Sequence, residues 1–339
     1  MAIHSLDAGH NMPRVLLFSA GVSIMTSCLL EQNKSIRRRK NSLLELLRFL
    51  SALWVLYYHD YVPFKNMLFS EGYLAVEFFF ILSGFYLMRS MNKYLDMPTK
   101  QGLFEFIKHR FKNIAIPFTI GEIFVLIYSF AFEISYNLFF GYLWYIRDLF
   151  IAMIGIFLLK KYIKSEKLFY IVLATVSIVA MFGFIWLPVI AWPNGPFRSI
   201  NSIPIGMIVA LIPSIKIGNE THYNKMSAII PIVSFLVVGL GCLAIIILPY
   251  KHPVLPYLLV ILVYPSLIYF ANQIEYSNKF LDWLGSLSFP IYAFQCIVRV
   301  IEACGLKNNT VLFVILLSLV ILYSIIIEYC KFNKQTIKI

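Results

Sequence analysis

Apolar runs separated by short polar and basic stretches recur along the chain. They fall at about 43–61, 72–90, 114–134, 140–159, 168–190, 200–215, 226–249, 254–271, 281–302 and 309–330. A bilayer is crossed by about 20 apolar residues in a helix, so the pattern predicts about ten transmembrane helices. The run at 200–215 is short and holds Pro204 and Pro213, which marks it as kinked or re-entrant. Backbone freed by proline is tolerated at membrane depth only where protein or a wet cavity covers it. An eleventh, shorter run lies at 15–30, behind Arg14. The expected fold is all-α: a polytopic membrane protein whose helices enclose a polar active-site cavity. Its parts are a basic N-terminal segment (1–40) with room for an extra short hydrophobic helix, a ten-helix domain (41–332) and a tail (333–339).

Composition agrees. Of 339 residues, 60% are hydrophobic and 14% charged, against about 45–50% and about 25% in soluble domains. The net charge of +12 suggests nucleic acid until the charges are placed. With 32–42 cytoplasmic and ten spans following, the inside segments carry five Lys or Arg in 34–40, six in 89–112 and four in 160–167. Lys216, Lys225, Lys279 and three in 331–338 bring the total to 21. The outside loops carry four: Lys65, Arg198, Lys251 and Lys307. That asymmetry is the positive-inside signal. It fixes both ends of the ten-span core in the cytoplasm and accounts for the basic balance without nucleic acid. The five cysteines, Cys28, Cys242, Cys296, Cys304 and Cys330, lie in or beside apolar runs with no metal-ligand spacing. They read as apolar filler, with no metal and no disulfide framework. Residues 1–35 read as a dispensable or extra helix in preference to a cleaved signal, since "MTSC" is a poor lipobox and "RRRK" downstream resists export.

Few ionisable groups remain at membrane depth: Glu45, Arg48, His59, Glu77, Glu122, Arg147, Asp148 and Arg299, with Glu133, Asp282 and Glu302 nearer span ends. Each costs roughly 2.5–3.5 kcal/mol on insertion scales when central, so they belong to a buried interior. Arg48 and His59 are eleven residues apart, which puts them on one helix face about 16 Å apart along the axis. Glu45 stands one turn before Arg48 and can pair with it. His59 is the one histidine inside an apolar run. A span histidine also serves as a hydrogen-bonding partner between helices, and Arg48 alone also reads as a snorkelling residue. Glu77 sits among aromatics and needs a cation, for which Arg48, Arg147 and His59 are the candidates. Ser83-Gly84 offers a small step for a neighbouring helix or ligand. Arg147 and Asp148 are adjacent and so point in different directions. Tyr142 and Trp144 fit an interfacial aromatic belt.

Six stretches in order over about 40–330 resemble the membrane acyltransferase-3 family, bacterial multi-pass O-acyltransferases that modify surface polysaccharides. Arg48, ten residues, then His59 is similar to its first-helix motif. "VEFFFILSGFYL" (76–87) resembles its acidic-x-Phe-Phe-x-x-Ser-Gly-Phe signature, and "RFKNIAIPF" (110–118) its basic helix-entry motif in the form of fucose 4-O-acetylase-like members. "LWYIRDLF" (143–150), "SIPIGMIVA" (202–210) and "LGSLSFPIYAFQ" (284–295) are similar to three later motifs. Gln295 stands where many members have histidine, and Asn113 departs from the basic motif.

The resemblance implies transfer of an acetyl or other short acyl group from acyl-CoA (acetyl-CoA as donor) to a glycan hydroxyl. It casts His59 as general base or transient acyl carrier, Glu77 as a second catalytic residue, and Arg48 and Arg147 as donor-binding cations. Trp144 and Gln295 would meet the acceptor. A histidine's ordinary pKa of about 6.5 suits either role for His59. The expected partners are acyl-CoA, a glycan acceptor and membrane lipid. The competing reading from another class is a transporter or flippase of lipid-linked sugars, which buried charges suit equally. Such proteins more often show twelve spans or hydropathy repeats. A non-catalytic scaffold would leave Arg48, Glu77 and Arg147 without purpose.

Overall fold

The computed structural model describes residues 41–59, 72–131, 143–186, 194–212, 225–247, 254–274 and 276–294, with scattered helical residues between 318 and 326. All belong to the unit Asn41–Ile339. The runs at 15–30 and, for the most part, 309–330 lie outside them. Every regular element among the described residues is helical: α1 (Ser42–His59), a 3-10 turn (Gly72–Leu74), α2 (Ala75–Leu95), α3 (Thr99–Ala131), α4 (Leu143–Tyr162), α5 (Glu166–Trp186), α6 (Asn194–Val209), α7 (Lys225–Ile247), α8 (Val254–Gln273, with a π-helical turn at Leu259–Val263) and α9 (Lys279–Phe294). The all-α expectation holds. The apolar runs match these helices with two shifts. α3 starts well before its run, at Thr99. α6 starts at Asn194 instead of 200, and Pro204 lies inside it.

Two of the described helices, Glu166–Trp186 and Val254–Gln273, are long and apolar enough to cross a membrane. α5 explains why. It turns Phe169, Leu173, Ser177, Ala180 and Phe184 inward at helical spacing. Its outward face is no more polar: Ile171, Ile178, Val179, Phe182 and Trp186 stand exposed. A helix apolar all round suits lipid, not water.

Paired caps fix where α1 and α9 begin. The Asn41 side-chain oxygen accepts the amides of Leu43 and Leu44 at 3.0 and 3.2 Å, and Asn278 does the same for Phe280 and Leu281 at 2.9 and 3.2 Å. These are N-cap bonds that satisfy orphan first-turn donors. Ser42 joins the two caps: its hydroxyl donates to Asp282 Oδ1 at 2.6 Å and accepts the Asn278 amide at 2.7 Å. Asn41 Nδ2 also donates to the carbonyls of Ala271 and Ile274 at the end of α8. α1 and α9 therefore start together and run side by side, where α8 finishes. Arg89, late in α2, donates to Asn272 at 3.0 Å, and Lys161, late in α4, donates to the carbonyls of Leu95 and Met97. The ends of α2, α4 and α8 and the starts of α1 and α9 thus share one end of the bundle.

α6 packs on α2, α4 and α5. Its crossing with α2 has no room for side chains. A Cβ on Gly84 would strike the Ile203 backbone, and one on Gly206 would strike the Ile81 carbonyl. The small step expected at Ser83-Gly84 is filled by a helix backbone. Close approach through small residues is a common way to join helices in lipid. Gly206→Val should force the helices apart and cost about 1–3 kcal/mol as overpacking, read as a lowered unfolding midpoint of the detergent-purified protein. An unchanged midpoint would refute the crossing.

Candidate active site

Two charged groups lie along α1, α2, α4 and α6, at opposite ends of the bundle. The first is at the end where α1 starts. Arg48 Nη1 donates to Glu45 Oε2 at 2.8 Å, the pairing expected from their one-turn spacing. α9 crosses so closely that a Cβ on Gly285 would strike the Glu45 side chain. Arg48 lies deep among the helices, within electrostatic reach of Tyr86 and Tyr145, yet 28% of its side chain remains accessible. Phe79, Ser83 and Tyr86, on one face of α2, are likewise only half-buried in the middle of an otherwise buried helix. Arg48 and this strip of α2 are thus the partly accessible positions among otherwise buried neighbours.

Next to Phe79 stands an aromatic group. The Tyr145 ring lies 4.7 Å from Phe80 and 4.9 Å from Tyr292, and Phe79 lies 6.1 Å from Tyr292. The second charged group follows, where α2, α4 and α6 begin. Glu77 is buried at 1% exposure and Arg198 at 5%. Arg198 Nε donates to Glu77 Oε1, and Ser202 Oγ donates to Glu77 Oε2 at 2.9 Å. Arg198 and Ser202 are four apart on α6, so one helix face holds both carboxylate oxygens. The Arg198 guanidinium lies over the Trp144 ring, 4.9 Å from its centre. Beside it, Arg147 Nε donates to buried Asp148 Oδ1 at 2.8 Å, and Gly195 passes so close that a Cβ would meet Asp148 Oδ2 and Trp144.

Two expectations change here. The cation on Glu77 is Arg198, which the charge count had put in an outside loop; it lies inside α6 and buried. Arg147 and Asp148 do not part company, since the guanidinium reaches back to its own neighbour. "WPNGPFRS" fell between the apolar runs at 168–190 and 200–215 and so counted as a loop, whereas proline in a first helical turn is well tolerated. The spacing of Arg198 and Ser202 was the available signal. Trp144 holds Arg198 by its ring, a packing role its belt assignment did not include.

His59 ends α1, so Arg48 and His59 do sit on a single unbroken helix. The His59 side chain, Glu122, Glu133, Gln295, Arg299 and Glu302 lie outside the described residues or side chains. No group of three or more His, Cys, Asp or Glu suited to a metal occurs among the described residues.

An all-helical bundle with an apolar exterior and paired charges inside is suited to work in or at a lipid bilayer. A family model described as an acyltransferase domain, acyltransferase 3, matches residues 41–329, and the chain belongs to that family. It is an acyltransferase by that membership. No curated protein and no solved structure gives a significant match.

Proposed function

We propose that the chain is a multi-pass O-acyltransferase of the cytoplasmic membrane. It moves an acetyl or other short acyl group from acyl-CoA to a hydroxyl of a surface or exported polysaccharide, or of its sugar precursor. The carrying observation is Arg48: an enclosed cation, still accessible, on the same helix and face as His59. With the ten spans expected from the sequence, 21 basic residues fall on the Arg48 side and, with Arg198 buried, Lys65, Lys251 and Lys307 on the other, which supports a cytoplasmic Arg48 end. Acyl-CoA is cytoplasmic and carries phosphates at one end and a thioester at the other. Guanidinium is the side chain best matched to phosphate. An axial separation of about 16 Å between Arg48 and His59 is the scale of the pantetheine arm, and the half-buried strip of Phe79, Ser83 and Tyr86 is its proposed path.

The reaction then runs as follows. The acceptor hydroxyl oxygen attacks the thioester carbonyl while His59 takes its proton, and the tetrahedral intermediate collapses as the C–S bond breaks. The CoA thiolate leaves and is protonated. In the two-step variant His59 attacks first and passes the acyl group on. Glu77, held by Arg198 and Ser202, fixes the α2–α6 wall of the site. Arg147 offsets developing oxyanion charge, and Trp144 and Gln295 border the acceptor.

Purified protein given labelled acetyl-CoA and a sugar acceptor should release CoA and label the acceptor or itself. Neither release nor labelling would favour a transporter. Removing Arg48 while leaving Glu45 buried and uncompensated would confuse stability with binding, so the variant is Glu45→Gln/Arg48→Ala. Loss of a charged hydrogen bond, about 1.5–3 kcal/mol, should raise the donor KM about ten- to hundredfold, with kcat less affected. An unchanged donor KM would remove Arg48 from the donor site.

A further inference from the structure

Between the two charged groups, α2 and α4 bring a pair of hydroxyls together. Tyr145 of α4 is buried at 4% exposure. Aromatic neighbours fix its ring from several sides: Phe80 at 4.7 Å, Tyr292 at 4.9 Å, Trp144 at 6.2 Å and Phe79 at 6.5 Å. A phenol enclosed in this way needs a partner for its hydroxyl. Ser83 of α2 is that partner, through a side-chain hydrogen bond. The Tyr145 hydroxyl also lies within electrostatic reach of both Arg48 and Glu77, which places the pair between the Glu45–Arg48 end and the Glu77–Arg198 end.

The bond lies at an accessible place, not in the sealed core. Ser83 is half-buried, and so are Phe79, four residues before it, and Tyr86, three after it, on the same face of α2. Two hydroxyls joined by one hydrogen bond use one of their two O–H groups. The second O–H and the remaining lone pairs are left to offer a ligand. One donor beside several acceptors suits a secondary amide or an alcohol, each of which has one hydrogen to give and an oxygen to be met. It does not suit a phosphate or a carboxylate, which only accept and call for cations. Depth points the same way. Arg48 acts on Tyr86 as well as on Tyr145. α2 ends where α1 starts, so the step from Tyr86 back to Ser83, about 4.5 Å, runs in the direction from Arg48 to His59. The pair thus stands past the cation and short of the histidine.

We infer that Ser83 and Tyr145 hold the pantetheine arm of the acyl donor by hydrogen bonds to its amide and hydroxyl groups. The inference deepens the proposed function and rests on it. In that reading phosphate is held at Arg48 and the thioester reacts near His59. What lies between is an extended chain with two amides and a hydroxyl. Passing along a strip of aromatic rings removes water from those groups, and a polar group left unmet there weakens binding. The hydroxyl pair takes the place of that water. Because neighbouring rings already hold the phenol, little freedom is lost when the ligand arrives. Both are positioning residues: they keep the acyl donor in line and touch neither the attacking hydroxyl nor the leaving sulfur.

The test is isothermal titration of detergent-purified full-length protein with three probes: acetyl-CoA, S-acetylpantetheine (the arm without phosphates) and adenosine 3′,5′-bisphosphate (phosphates without the arm). Tyr145→Phe keeps the ring and its neighbours, and Ser83→Ala keeps the helix. Each should weaken acetyl-CoA and S-acetylpantetheine about three- to tenfold, the loss of one neutral hydrogen bond, and leave adenosine 3′,5′-bisphosphate unchanged. Glu45→Gln/Arg48→Ala should do the reverse, weakening acetyl-CoA and the bisphosphate and sparing S-acetylpantetheine. Wild-type affinity of both hydroxyl variants for S-acetylpantetheine would overturn the inference and leave the proposed function standing, whether or not the unfolding midpoint falls. Equal weakening of all three probes would overturn it too, since a loosened fold explains that. A wild type that binds none of the three would refute the acyl-CoA reading and this inference together.

Discussion

Arg198→Ala is expected to destabilise the protein by about 3–5 kcal/mol, the usual loss when one partner of a buried ion pair is removed. Glu77, at 1% exposure, would keep Ser202 as its one donor among the described residues. Removing the charge from both sides should be far milder. Glu77→Met/Arg198→Met removes both charges and keeps similar volume, and apolar replacement of a whole buried pair is often close to neutral. The comparison is an unfolding midpoint for the two single variants and the double. A strongly non-additive cycle identifies a coupled pair; additive losses would mean that the two side chains do not depend on each other. Activity adds a second readout. If Glu77 only holds the α2–α6 wall, the stable double variant retains a measurable share of acyl transfer. If the carboxylate touches the reacting atoms, the double folds and is inactive.

What the sequence disclosed follows from what lipid demands. A span must be apolar for about 20 residues, so α1, α2, α4, α5, α7 and α8 appear as runs, and a one-turn spacing was enough to pair Glu45 with Arg48. The failures share a cause. α3 begins 15 residues before its apolar run because its first turns are amphipathic, with Phe106 packed on Phe157. α6 is the least apolar in its first half, "NGPFRSINS", because those polar side chains face inward. Arg198 and Ser202 hold Glu77, and Asn201 accepts from Ser177 of α5 through its carbonyl at 2.9 Å. Hydropathy cannot tell a polar loop from a helix whose polar face is buried against other helices. Arg147 and Asp148 escaped for a different reason. Their Cβ directions diverge by about 100°, but a guanidinium is long enough to turn back to the adjacent carboxylate.

His59→Ala should lower acyl transfer by about 10²–10⁴-fold, the range a positioned general base supplies, and by more if the imidazole carries the acyl group. The protein should still insert, accumulate and unfold close to the wild-type midpoint. His59 is the last residue of α1, and a change at a helix end disturbs neither the Asn41 cap nor the Glu45–Arg48 pair at the other end. Donor binding should survive as well, because Arg48 is about three turns away. Free imidazole added to the variant should restore part of the rate if the missing function is proton transfer or acyl carriage. Labelled acetyl-CoA separates those two: a carrier is labelled in the wild type without acceptor, and a base is not. Acyl transfer at the wild-type rate in His59→Ala would remove the histidine from the reaction, and a mechanism would have to be rebuilt from the site's other polar groups, Glu77 and the Arg147–Asp148 pair among them.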